Sequence, residues 1–302
     1  MALLDRAIVR LLPAVPRPVV RRISRRYIAG ERLEDALAVV EQLNASGKTA
    51  TVDVLGEEIR EAGEARAIAA AYHDLFEAID RRRLDSNVSV KLTGLGLKLG
   101  YDLCHGLLEE VVRHAAEHSN FVRIDMEDSS TTDETLRLYR ELRGAGLDNV
   151  GVVLQARLRR SLDDVRALAD LRPNVRLCKG IYLEPESIAY VEFEEIRASF
   201  VRCLEALLET ASYVGIATHD EFLVTEGKRL ARERYEFQML LGVRPALADA
   251  LVREGERLRI YVPFGRHWYA YSLRRLQENP KIAGYIAADT FGRVFARRNG
   301  SR

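Results

Sequence analysis

Eight short apolar runs rich in β-branched residues recur along the chain, each followed by a helical pattern. They occupy 49–55, 87–92, 121–126, 151–155, 175–178, 214–218, 235–240 and 259–263. Each is near-continuous rather than alternating, which marks strands covered on both faces, as in a parallel sheet. The segments between them repeat apolar residues at helical spacing. Segment 57–82 carries Ile59, Ala65, Ala69, Tyr72 and Phe76 in such positions. Segment 132–143 opens with a Thr-x-x-Glu-like start, and 161–171 opens with a capping Ser161 followed by Asp163 and Asp164. Further helices are expected over 103–118, 187–211, 221–232, 244–255 and 267–278. Eight strand–helix repeats predict an α/β protein built as a (β/α)8 TIM-type barrel. An open doubly wound sheet is the alternative, weakened because no GxGxxG follows the first run. The expected division is a helical N-terminal arm over 1–45, a barrel over 46–282 and a basic tail over 283–302.

Composition excludes several classes. The chain of 302 residues is 47% hydrophobic and 30% charged, ordinary for a soluble globular protein. A net charge of +1 gives no overall electrostatic case for nucleic acid. Cys104, Cys178 and Cys203 show no CxxC spacing, so neither a disulfide framework nor a zinc site is expected, and a reducing compartment such as the cytoplasm fits. No run of 18 apolar residues suggests a membrane-spanning helix. The first 28 residues carry Arg6, Arg10, Arg17, Arg21, Arg22, Arg25 and Arg26 against Asp5, interleaved with aliphatic residues. This segment has two readings: a peripheral contact with an anionic membrane face, or an arm packed on its own domain.

In such a barrel, chemistry belongs at the C-terminal strand ends. Those ends supply Asp53 and Glu57, Lys91, Asp125 and Glu127, Gln155, Arg176 and Lys179, Thr218 and His219, Gln238, and Tyr261. Polar groups at almost every strand end cost burial energy unless paired, so this face is the expected site. On the helix after the eighth run, Tyr271, Arg274, Arg275 and Glu278 share one face. Two adjacent guanidinium forks can hold a carboxylate while Glu278 holds an ammonium, an arrangement suited to an amino acid. The competing reading is an exposed charged helix. His114 and His118, four apart on an outer helix, are expected on a solvated face rather than as metal ligands, and no metal is expected. Cys178 reads as a small apolar residue within a strand.

These segments together resemble the proline dehydrogenase family. The resemblance rests on Val-Ser-Val-Lys-Leu (88–92), Ile-Asp-Met-Glu-Asp (124–128), Leu-Gln-Ala (154–156) and Arg-Leu-Cys-Lys-Gly-Ile-Tyr (176–182). It continues through Ile-Ala-Thr-His-Asp (216–220), Tyr-Glu-Phe-Gln-Met-Leu (235–240), Ile-Tyr-Val-Pro-Phe-Gly (260–265) and Tyr-x-x-Arg-Arg-x-x-Glu (271–278). The chain is similar to the proline dehydrogenase domain of proline utilisation A. It ends where an aldehyde dehydrogenase module would begin, so the resemblance implies the monofunctional bacterial form. Ile181 stands where the family usually has alanine and is expected to tighten packing beside the flavin.

The resemblance implies an FAD enzyme that oxidises L-proline to Δ1-pyrroline-5-carboxylate and passes electrons to a membrane quinone. A separate pyrroline-5-carboxylate dehydrogenase would act next. By resemblance, Arg274 and Arg275 would hold the substrate carboxylate, with Lys91 beside them and Glu278 among these charges. Tyr261 and Leu240 would wall the proline ring, and Asp125 would support the site. Gln155, Arg176, Lys179, Gly180, Thr218 and His219 would contact FAD, with Tyr182 in the same motif. Glu57 would close a gate by pairing with Arg274. Hydride departure needs a neutral amine, and a site made basic by Lys91, Arg176, Lys179, Arg274 and Arg275 would disfavour the ammonium form. A Schiff-base aldolase-type barrel using Lys91 or Lys179, and a catalytically silent binding barrel, remain as other readings.

Overall fold

The structure is a computed structural model that describes residues 20–21, 24, 26–56, 59–269 and 271–272. The strands are β1 (Thr49–Val54), β2 (Ser86–Val90), β3 (Val122–Ile124), β4 (Val150–Gln155), β5 (Asn174–Cys178), β6 (Tyr213–Ala217), β7 (Tyr235–Leu240) and β8 (Leu258–Phe264). All pair in parallel with their sequence neighbours, and β8 returns to β1 to close the barrel. That closing register runs from Thr49↔Arg259 to Val54↔Phe264. Helix α1 (Leu33–Ala45) precedes β1 and packs on β1 and β8. After β1 to β7 come α2 (Ala62–Arg82), α3 (Tyr101–Glu117), α4 (Thr132–Gly144), α5 (Ser161–Ala167), α6 (Phe193–Thr210), α7 (Glu221–Leu230) and α8 (Pro245–Arg253).

The runs that look continuously apolar divide into two faces. Val52, Val90, Ile124, Val152, Leu177, Ile216, Phe237 and Val262 are fully buried in one apolar cluster with the helices. Burying each such side chain contributes about 1.5–3 kcal/mol. The alternate positions fill the barrel with buried polar groups, including Thr51, Ser89, Arg123, Arg176, Glu236 and Gln238. They are tolerated because they bond one another. Arg259 Nε donates to Glu236 at 2.6 Å, Gln238 Nε2 donates to Glu236 at 2.7 Å, and Arg176 Nε donates to Gln238 Oε1 at 2.5 Å. Burial, with the Arg176 charge nearby, holds the Arg123 guanidinium down at about 9, yet it donates to the Val152 and Asn174 carbonyls.

Three expectations are corrected. The helix expected from 57 begins at Ala62, where the Glu64 carboxylate accepts from the backbone of Arg60 and Glu61 and fixes the start. The helix expected from 187 begins at Phe193. The backbone of 188–190 is committed elsewhere: Ile188 O accepts from Arg159 and Tyr190 N donates to Arg157 O. His114 and His118 lie on a face that is only partly solvated, both being half-buried. His73 of α2 packs tilted against His114 at 4.3 Å between ring centroids, and His114 meets His118 at 4.9 Å. Among the described residues no group of three or more potential ligands could hold a metal ion.

Part of the N-terminal arm packs against the chain's own C-terminal region. Ser24 Oγ donates to Ser272 Oγ at 2.6 Å, and Ile28 clusters with Leu55 and Tyr271. Residues 1–19, 22, 23 and 25 of the expected arm, the tail over 283–302, Glu57, Arg274, Arg275 and Glu278 lie outside the described residues. No described helix is long and apolar enough to cross a membrane.

Candidate active site

A cavity of about 900 Å³ opens at the C-terminal mouth of the barrel. Most described candidates reach it: Lys91, Asp125, Gln155, Arg176, Lys179 and Gly180, and equally Tyr182, Thr218, His219, Gln238, Leu240, Tyr261 and Tyr271, whereas Asp53 and Glu127 are buried behind it. Parallel strands ending at one mouth account for this convergence, since each contributes its last inward residue to the same space.

The floor is a fully bonded charge network. Lys91, just after β2, donates to Asp53 Oδ2 at 2.5 Å and to the Tyr261 hydroxyl at 3.0 Å. Tyr261 donates to Asp125 Oδ2 at 2.8 Å, and Arg176 Nη1 donates to Asp125 Oδ1 at 2.7 Å. The Asp53 side chain has no exposure. Burial pushes its carboxyl above the ordinary range, against the pull of Lys91. Burial, reinforced by the Asp125 and Asp53 charges, holds the Tyr261 phenol well above its ordinary value. Tyr261 is therefore a neutral donor at physiological pH, suited to fixing Asp125 rather than to exchanging protons.

The wall beyond β5 and β6 has a different logic. Gly180 has φ +94°, and a Cβ there would lie 2.7 Å from Gln155 Oε1, so any other residue would strain the backbone and displace Gln155. Gln155 is itself anchored by donating to Glu127 O at 2.6 Å. The Leu240 backbone N–H donates to His219 Nε2 at 2.9 Å, which places the proton of a neutral ring on Nδ1. Asp220 caps α7 by accepting from Phe222 N. It also accepts from Lys179 at 3.1 Å and from both Nε and Nη2 of Arg197 at 2.9 and 2.8 Å. Burial opposes its charge, but these bonds prevail and hold the carboxyl at about 2. Arg197 in turn lies 4.2 Å from the Phe193 ring and 4.9 Å from the Phe222 ring.

One expectation changes here. Three cations at the site each have a carboxylate partner: Lys91 with Asp53, Arg176 with Asp125, and Lys179 with Asp220. The described wall is thus charge-balanced rather than uniformly basic. Ile181 lines the same cavity and is 37% exposed at its rim. Cys178 ends β5, packs against the apolar core as a small residue and also borders the cavity. Sequence reasoning assigned no role to Asp220, Arg197 or Phe193. Asp220 carried one usable signal, a capping residue directly after Thr218-His219.

Residues 36–288 match the family model described as proline dehydrogenase. The chain is 36% identical over 269 residues to proline dehydrogenase 1 of Bacillus subtilis subsp. natto, covering 87% of this chain and 89% of that protein. It is 36% identical over 294 residues to the proline dehydrogenase of Deinococcus radiodurans, covering 91% of this chain and 95% of that one. The structure of proline utilization A from Bdellovibrio bacteriovorus, inactivated by N-propargylglycine, superposes with a TM-score of 0.78 at 27% identity. That match covers 86% of this chain and 33% of the longer protein.

Proposed function

This chain belongs to the proline dehydrogenase family, and from that premise we propose that it oxidises L-proline to Δ1-pyrroline-5-carboxylate with FAD and hands the electrons to a membrane quinone. The observation that most supports this reading is the cavity of about 900 Å³, which residues from all the family-like segments between 88 and 272 line together. Pockets for small molecules run to roughly 1,000 Å³, so this one is large enough for a cofactor and a small substrate together.

The residues present fit FAD by their chemistry. Gln155, Thr218 and His219 offer polar atoms, Lys179 and Arg176 offer cations, and Gly180 keeps the wall open. When bound, FAD supplies the acceptor for the two electrons that leave proline as hydride. The chain's own residues do the rest. Tyr261 and Leu240 wall the ring of the substrate, and the Lys91–Tyr261–Asp125 network keeps that wall rigid. By the resemblance, Arg274 and Arg275 would hold the substrate carboxylate, with Glu278 among these charges and Glu57 as the gate residue paired with Arg274. The product forms when hydride leaves the carbon next to nitrogen and the nitrogen gives up a proton, creating the C=N bond.

The Schiff-base reading loses ground. Lys91 and Lys179 are both engaged with carboxylates, at 2.5 and 3.1 Å, an arrangement for fixed cations rather than for a free amine nucleophile.

The test is the anaerobic absorbance spectrum of the purified protein before and after L-proline, followed by addition of quinone or NAD. The expected result is a flavin spectrum, bleached by proline and restored by quinone alone. A colourless protein that remains so after incubation with FAD refutes the reading.

A further inference from the structure

The polar column inside the barrel runs from the cavity floor to the opposite mouth, and one of its members has no place in the reading above. Glu236 is 3% exposed and sits on β7, two residues before Gln238. A carboxylate can only accept, so the Gln238 NH2 must turn toward Glu236 Oε1, 2.7 Å away. The carbonyl oxygen of the same amide is thereby left facing Arg176 Nε at 2.5 Å. Arg176 is on β5 and Gln238 on β7, so this bond spans β6 inside the barrel. It can do so because Gly215 stands in register with both Arg176 and Glu236. A Cβ at Gly215 would lie 2.4 Å from Gln238 Nε2. Arg259 Nε, at 2.6 Å, balances the Glu236 charge from the far side.

We propose that Glu236 is a positioning residue that sets the orientation of the Gln238 amide and through it holds Arg176 at the cofactor wall. The proposal deepens the flavin reading and rests on it. Arg176 is gripped at two edges, by Gln238 on Nε and by Asp125 on Nη1. With glutamine at 236, the neighbour offers a donor as well as an acceptor, and the Gln238 amide is free to turn over. Its NH2 then meets the guanidinium donor to donor, and Arg176 swings toward Asp125, away from its place in the cavity wall. A displaced cation no longer stabilises the negative charge that arrives on reduction.

The experiment measures the flavin reduction potential and the anaerobic rate of reduction by proline in wild type, Glu236→Gln and Gly215→Ala. The second variant reaches the same amide from β6, because its added methyl displaces Gln238. Weakening one charge-assisted bond is expected to slow reduction about tenfold and, for a two-electron couple, to lower the potential by about 30 mV. Flavin stoichiometry and the half-saturating proline concentration are expected to stay at wild-type values. Folded variants with the wild-type potential overturn the proposal, as does a fall in proline affinity and flavin content without a change in potential. A wild-type protein that takes up no flavin overturns the flavin reading, and the proposal falls with it. Where proline bleaches the wild type, the flavin reading stands, and the variants' potentials decide the role of Glu236 alone.

Discussion

Breaking the Lys91–Asp53 pair from its two sides should cost unequal amounts. Lys91→Met leaves Asp53 with no exposure and, among the described residues, no cation in contact. The nearby hydroxyls are those of Tyr261 and of Tyr72, the latter a long 3.5 Å away, and neither carries a charge to balance the carboxylate. Removing one partner of a buried pair costs about 3–5 kcal/mol, so Lys91→Met is expected at that level. Asp53→Asn is milder. Lys91 keeps the Tyr261 hydroxyl at 3.0 Å and a second carboxylate, Asp125, at 3.8 Å. The loss should then be nearer the roughly 1–3 kcal/mol of a lost charge-assisted bond. The double variant should recover much of the deficit, because it leaves neither charge orphaned. Equilibrium denaturation of the four proteins, followed by circular dichroism, gives the cycle. If Asp53→Asn proves the more damaging single change, or if the double variant shows only the sum of the two losses, the assignment of Asp53 as the dependent partner is wrong.

Gly180→Ala should weaken flavin retention. The left-handed backbone alone costs about 1–2 kcal/mol, roughly tenfold in affinity if it is relieved by moving the loop, and the methyl also presses on Gln155. Flavin release followed by fluorescence checks this, and an unchanged dissociation constant in a folded variant contradicts it. Asp220 gives a pH signature. Its carboxyl lies at about 2 in the folded protein against an ordinary 3.8. A lowered carboxyl contributes stability that is complete above the unfolded value and is lost as pH falls from about 4 to about 2. The difference in melting temperature between wild type and Asp220→Asn should therefore close across that interval, and a gap that persists to pH 2 would count against the Lys179–Asp220–Arg197 cluster as a source of stability.

The strands and the mouth of the barrel were legible because each apolar run carries a polar residue at or near its C-terminal end. Lys91, Asp125 and Gln155 announce themselves in that way, and the fold brings them to one cavity. What stayed hidden depends on contacts between elements. Asp220 and Arg197 are 23 residues apart on different elements, and nothing local marks them as partners. The polar interior was masked because apolar neighbours such as Tyr235, Phe237 and Met239 make the β7 run look continuous, although Glu236 and Gln238 point to the other face. The late start of α6 follows from backbone bonds between 188–190 and 157–159, again a pairing across the fold. The Arg274-Arg275 doublet was conspicuous in sequence, but it falls outside the described residues.

The seam between β1 and β8 also dictates the order of events during synthesis. The first strand ends at Val54, and its final partner does not begin until Leu258. While the ribosome builds everything between, one edge of β1 has bare amide and carbonyl groups and no native neighbour. Such an edge invites pairing with another chain. The barrel therefore cannot close until β8 has been made, and a message truncated before Leu258 would release a chain without the strand that seals it. Helix α1, which lies over both β1 and β8, is made first of all the described helices with assigned bounds and is in position to cover that seam before its second half exists.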